Sequence, residues 1–118
     1  MDATLNLTYG NVVGSVKLRQ RIADLHSSPD LQLTADNVVI TPGSIMANYL
    51  VLRTLCGPGD HVICQYPTYA QLYVLPRYLG ADVELWKLRE ENGWAPNLED
   101  LTAMIRPNTK VIIVKLDT

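Results

Sequence analysis

Four short runs of β-branched and aliphatic residues limit what this chain can fold into. They are residues 38–41, 61–65, 83–88 and 111–114. A stretch with helical spacing separates each from the next, and the connections are short. Parallel neighbours need a crossover long enough for a helix, whereas antiparallel ones need only a turn. Alternation of this kind therefore predicts a mainly parallel sheet covered by helices, a three-layer α/β/α arrangement. His61-Val62-Ile63-Cys64-Gln65 has the unbroken apolar character of a strand buried on both faces.

The first run leads into the most informative stretch, Thr41-Pro42-Gly43-Ser44-Ile45-Met46-Ala47-Asn48-Tyr49-Leu50, whose apolar character continues to Leu55. It reads as a buried strand, a tight turn and a buried helix. Gly43 lacks a Cβ, so a ligand can approach its backbone closely. Ser44 is a favoured N-cap residue. The first N–H groups of the helix have no intrahelical partner, and the helix dipole adds partial positive charge there. Such a start is a ready site for a phosphate. On this stretch alone, an ordinary capped helix after an ordinary turn is the simpler account. Residues 45–55 are apolar almost all round, so the helix is expected to be covered on more than one side.

The other elements follow from local signals. Ser15 can cap a helix running to about His26, with Leu18, Ile22 and Leu25 facing inward. Ser27-Ser28-Pro29 ends it. Gly57-Pro58-Gly59-Asp60 is a turn. Tyr66-Pro67-Thr68-Tyr69 leads into a helix that Pro76 should kink or split and Gly80 should close. Glu90-Glu91-Asn92-Gly93 is a surface turn. Asn97 should cap a short helix with Leu98, Leu101 and Ile105 inward.

Composition narrows the function. With 118 residues, 47% apolar and 19% charged, the chain suits one globular core. A net charge of −2 without basic runs argues against nucleic acid and anionic membranes as partners. No apolar run reaches the length of a membrane span. Met1-Asp2 and the polar residues after them do not read as a signal peptide. Cys56 and Cys64 read as buried free thiols, which suits a cytoplasmic setting. His26 and His61 lack cysteine or carboxylate partners at ligand spacing, so no zinc site is expected.

Taken together, several motifs resemble one family. They are Tyr9-Gly10-x-x-x-Gly14-x-x-x-Leu18-Arg19, Asn37-Val38-Val39-Ile40-Thr41-Pro42-Gly43-Ser44, Gly57-Pro58-Gly59-Asp60-His61-Val62, Tyr66-Pro67-Thr68-Tyr69 and Arg106-Pro107-Asn108-Thr109-Lys110. Their order and spacing are similar to those of the class I/II aminotransferases, pyridoxal-phosphate enzymes of the aspartate-aminotransferase fold. The resemblance runs from about Tyr9 to Val114 and covers the first part of the family's large domain. It implies that the chain is an incomplete part of that domain, with its first four strands and their helices.

The resemblance also implies roles. Gly43, Ser44 and Ile45 would bind the phosphate of pyridoxal 5′-phosphate through backbone N–H groups and the Ser44 hydroxyl. Tyr69 would stack on the pyridine ring, and Tyr9 would reach the phosphate of a partner subunit in a homodimer. The parent reaction would move an amino group between an amino acid and a 2-oxo acid. In the family an Asn-Pro-rich loop follows the fourth strand; here Lys115-Leu116-Asp117-Thr118 stands there. The family's Schiff-base lysine lies further along, and none of Lys17, Lys87, Lys110 or Lys115 matches it. No catalytic residue is therefore assigned, and the chain alone is expected to be inactive. Three alternatives stay open. One is a non-catalytic module that binds a partner or a phosphate-bearing small molecule. Another is a piece of a same-fold lyase or decarboxylase. The third, a nucleotide-binding domain, lacks its glycine-rich fingerprint. The resemblance places 61–65 between 83–88 and 111–114, with 38–41 apart from them.

Overall fold

The computed structural model describes residues 9–116. Residues 1–8, for which the sequence gives no element, and 117–118 lie outside the described residues. The chain divides into two compact units, Met1–Ala47 and Asn48–Thr118. Helix α2 (Ser44–Leu55) has its first residues in one unit and the remainder in the other.

In the first unit, helix α1 (Val16–His26) begins where the sequence places it, and Ser15 Oγ accepts the N–H of Leu18. Its buried face is not the expected one. Leu18 and Leu25 are exposed and Ile22 is half-buried, whereas Arg19 and Ala23 are buried. The cause is the Arg19 guanidinium. Its Nε donates to Gly14 O at 3.0 Å and its Nη1 to Ala35 O at 2.7 Å, which joins the loops on either side of α1. A buried cation is tolerated only when hydrogen-bonded in this way. Gly14 has φ +100°, and a Cβ there would lie 2.6 Å from Ile40 Cβ, so the chain can pass only over a glycine. Residues 38–41 do not form the expected strand. Ile40 N–H bonds to Val13 O, but Val13 lies in a loop and no ladder develops. Extended backbone becomes a strand only beside another strand, so the described residues contain three strands rather than four.

The second unit holds strands β1 (His61–Tyr66), β2 (Asp82–Lys87) and β3 (Thr109–Ile113). All pair in parallel in the order β2-β1-β3, so β1 is central, as the resemblance implies. Helix α3 (Gln71–Tyr78) crosses from β1 to β2, and helix α4 (Leu98–Met104) from β2 to β3. One face of the sheet packs Val62, Val83, Val111 and Ile113 against Tyr49, Leu52 and Cys56 of the α2 segment and Leu75 and Leu79 of the α3 segment. Alternation turns Trp86 to the other face, where its Nε1 donates to Asn97 O at the start of α4.

Several local signals are realised. Asn97 Oδ1 accepts from Glu99 N and Asp100 N. Pro76, by contrast, does not split α3, which runs unbroken with the proline in its last turn. Gly80, at φ +93°, closes that helix with Gly80 N to Arg77 O and Ala81 N to Pro76 O, which is a Schellman motif. One burial expectation fails. Leu98 and Ile105 are exposed and only Leu101 is half-buried, because seven residues give α4 a narrow footprint on the sheet. In α2 only Leu52 is buried, while Ile45, Met46, Leu50, Val51 and Leu55 are exposed. No helix among the described residues is long and apolar enough to cross a membrane.

Candidate functional site

The turn before α2 is built from short local bonds. Gly43 adopts φ +92°, a conformation in which a side chain is strained although the surrounding space is open. Thr41 Oγ1 donates to Gly43 O at 2.8 Å, and Gly43 N–H donates to Thr41 O at 2.9 Å. Ala47 N–H closes the first helical turn on Gly43 O. Gly43 therefore occupies the N-cap position, and Ser44 is the first helical residue instead of the cap. Helix geometry leaves the N–H groups of Ser44, Ile45 and Met46 without i−4 partners. Both Ser44 and Ile45 are exposed. The structure thus gathers Gly43, Ser44 and Ile45 in one open helix start. Tyr9, also in the first unit, lies on the loop before α1 with its side chain fully exposed.

Tyr69 belongs to the second unit. It follows β1 through Pro67, whose bond with Tyr66 is cis, and Thr68. Its carbonyl accepts the N–H of Leu72 at the start of α3, while its side chain stays 58% exposed. Gln65, Pro67, Thr68, Tyr69 and Lys115 line a depression of about 340 Å³. A second cleft of about 690 Å³ shares Gln65, Pro67 and Lys115 and is walled by Trp86, Trp94 and Leu101. Both open at the carboxyl ends of the strands, where ligands of parallel α/β sheets bind.

Sequence reasoning missed two features here. Thr68 Oγ1 is buried and finds no hydrogen-bond partner among the described residues. Asn48 Nδ2 donates to Gln71 Oε1 at 3.1 Å, joining α2 to α3. The second had a signal in the sequence, an amide inside an otherwise apolar helix.

At the opposite end of the sheet lies a polar cluster. His61, fully buried, faces Glu84 Oε1 through Nε2 at 3.0 Å and Thr109 Oγ1 through Nδ1 at 2.7 Å. Arg106 donates to Asp82 and Glu84, and Thr109 Oγ1 accepts Arg106 N–H. His61 therefore does have a carboxylate partner, brought across from β2, which spacing along the chain does not show. An Nε2–H tautomer satisfies every group, with the Thr109 hydroxyl donating to Nδ1. The cluster pins the starts of the three strands. Among the described residues no group of three or more His, Cys, Asp or Glu could hold a metal ion. Both cysteines are free; burial, helped by the Asp60 charge, pushes the Cys56 thiol up, and burial pushes Cys64 up to about 11.

The parallel sheet with its crossover helices defines an α/β protein. The family model for aminotransferase class I and II matches residues 2–115. This chain belongs to that family. It is 36% identical over 108 residues to arginine–pyruvate transaminase AruH of Pseudomonas aeruginosa, which covers 91% of this chain and 28% of that protein. A solved PLP-dependent aminotransferase from Streptococcus suis matches with 45% identity and a TM-score of 0.81, over 92% of this chain and 28% of that one. Aspartate aminotransferase from Thermus thermophilus, solved with maleate, matches with 26% identity and a TM-score of 0.83, over 91% of this chain and 28% of that one. The chain therefore spans a little over a quarter of the length of these relatives.

Proposed function

We propose that this chain is the first part of the large domain of a pyridoxal-phosphate-dependent aminotransferase, which exchanges an amino group between an amino acid and a 2-oxo acid. Gly43 lets the phosphate approach the backbone. The N–H groups of Ser44 and Ile45 and the Ser44 hydroxyl hold it, aided by the helix dipole. Tyr69 lies against the pyridine ring and fixes its plane. Tyr9 serves the phosphate of a partner subunit in a homodimer. The cofactor, when bound, supplies an electron sink for the substrate's α-carbon. None of Lys17, Lys87, Lys110 and Lys115 is assigned the role of holding it covalently. The free, protonated thiols suit a reducing compartment such as the cytoplasm.

One observation carries this reading: a left-handed glycine opens a twelve-residue helix whose first residues are exposed. The residues also suit the group chemically. The space around Gly43 is open, the Ser44 hydroxyl stands at the helix start, and Thr68, whose hydroxyl finds no partner among the described residues, lines the same depression as Tyr69. The test is titration of the chain with pyridoxal phosphate, followed by absorbance. Ser44→Ala should weaken binding by about 1–2 kcal/mol, as for one hydrogen bond to a charged group. Tyr69→Ala should weaken it through lost stacking. Equal affinity in all three proteins would remove these residues from the site.

A further inference from the structure

Thr68 stands next to Tyr69 in the loop that follows β1. Both ends of that loop are pinned. Leu88 N–H donates to Tyr66 O at 2.8 Å, and Leu72 N–H donates to Tyr69 O at 3.0 Å. All of these residues belong to the second unit. Thr68 Oγ1 is buried, and among the described residues it finds no hydrogen-bond partner. A buried hydroxyl of this kind has given up its bonds to water and gained none, so it weakens the fold. Valine has nearly the same shape and would avoid that cost. A polar group that works against stability marks a place where a partner from outside the chain is expected.

The surroundings narrow the chemistry of that partner. Thr68 lines a depression of about 340 Å³ together with Gln65, Pro67, Tyr69 and Lys115. Pockets for small ligands run from about 300 to 1,000 Å³, so this one suits a single ring. Tyr69, more than half exposed, offers a flat aromatic face. A threonine hydroxyl both donates and accepts, and so can meet either a ring hydroxyl or a ring nitrogen.

We infer that Thr68 is a binding residue, whose hydroxyl bonds to the polar edge of a hydroxylated nitrogen heterocycle lying against Tyr69. This rests on the role of Tyr69 in the functional reading above and needs nothing from the first unit. Rotation of χ1 between staggered positions carries the hydroxyl from its buried site to the wall of the depression. The ring edge then supplies the bond that the folded chain leaves unmade.

The test uses pyridoxine, which has the hydroxypyridine ring but neither a phosphate nor an aldehyde that would react with lysines. Equilibrium dialysis measures its binding, and urea unfolding measures stability. Thr68→Val should bind pyridoxine several-fold more weakly, up to about tenfold, as one hydrogen bond allows. It should unfold at the same urea concentration as the unaltered chain or a higher one. Thr68→Ser keeps the hydroxyl and should keep the affinity. The inference alone is overturned if Thr68→Val binds equally well, unfolds at clearly lower urea or does not fold. It is also overturned if Thr68→Ser loses as much affinity as Thr68→Val. The same holds if the unaltered chain binds pyridoxal phosphate, more weakly after Tyr69→Ala, yet ignores pyridoxine. If Tyr69→Ala weakens neither ligand, or the unaltered chain binds neither, the functional reading fails and takes the inference with it.

Discussion

Cys64 sits wholly buried in the central strand, with its Sγ toward Gln65 O. Burial raises its pKa from 9.0 to about 11, and Arg77 offsets only part of that. The sign of the consequence follows from which state holds the proton. Below pH 9 both the folded and the unfolded thiol are protonated, and the contribution is fully present. Between 9 and about 11 the unfolded chain gains by ionising while the folded one cannot, so stability falls. Urea unfolding across this range should show a steeper loss for the unaltered chain than for Cys64→Ala. Parallel curves would mean that the thiol is not so shielded. At this scale the candidate site was partly legible. Gly43, Ser44 and Tyr69 announce themselves through turn chemistry that depends on near neighbours. The burial of the Thr68 hydroxyl and the identity of the partner of Asn48 depend on tertiary placement, which spacing does not encode.

The three strands of the second unit were legible because each carries closely spaced apolar residues bounded by turn residues, although only β1 is mostly buried, and short crossovers leave few topologies. The run at 38–41 has the same composition but no strand neighbour, since strand propensity expresses fit to a surface that must exist. Helix α1 was legible in extent and misread in orientation. Its leucines draw an apolar face, yet the polar Arg19 occupies the buried one and satisfies the carbonyls of Gly14 and Ala35. Arg19→Met keeps much of the volume and removes both bonds. It should cost on the order of 2–3 kcal/mol, as expected when hydrogen bonds from a charged group are lost and buried carbonyls stay unpaired. Leu25→Ala, on the exposed face, should stay within about 0.5 kcal/mol. Chemical unfolding followed by far-ultraviolet circular dichroism measures both. The reverse ranking would show that the leucine face is the buried one.

Among the described residues many large apolar side chains are exposed. Both β2 and β3 leave one edge without a strand among the described residues, and Ile112 and Val114 are exposed at the end of the β3 run. Along α2, Ile45, Met46, Leu50, Val51 and Leu55 are exposed as well. Open edges pair with other chains, and contiguous apolar patches drive association. This fits a chain that spans 28% of the length of a relative such as the Streptococcus suis aminotransferase. The 118-residue chain by itself should therefore self-associate with rising concentration, as sedimentation velocity would show. Ile112→Lys, which places a charge at the open edge, and Val51→Lys, on the exposed face of α2, should each shift the distribution toward monomer. Neither should reduce the helical signal, because neither side chain is part of the buried core. Two causes can be separated by salt. Association through apolar surface persists or strengthens in sulfate, whereas association through ion pairs weakens. A chain that stays monomeric at high concentration and unfolds in one cooperative step would show that this surface is tolerated without a partner. It would also remove the main physical support for reading the chain as part of a larger domain.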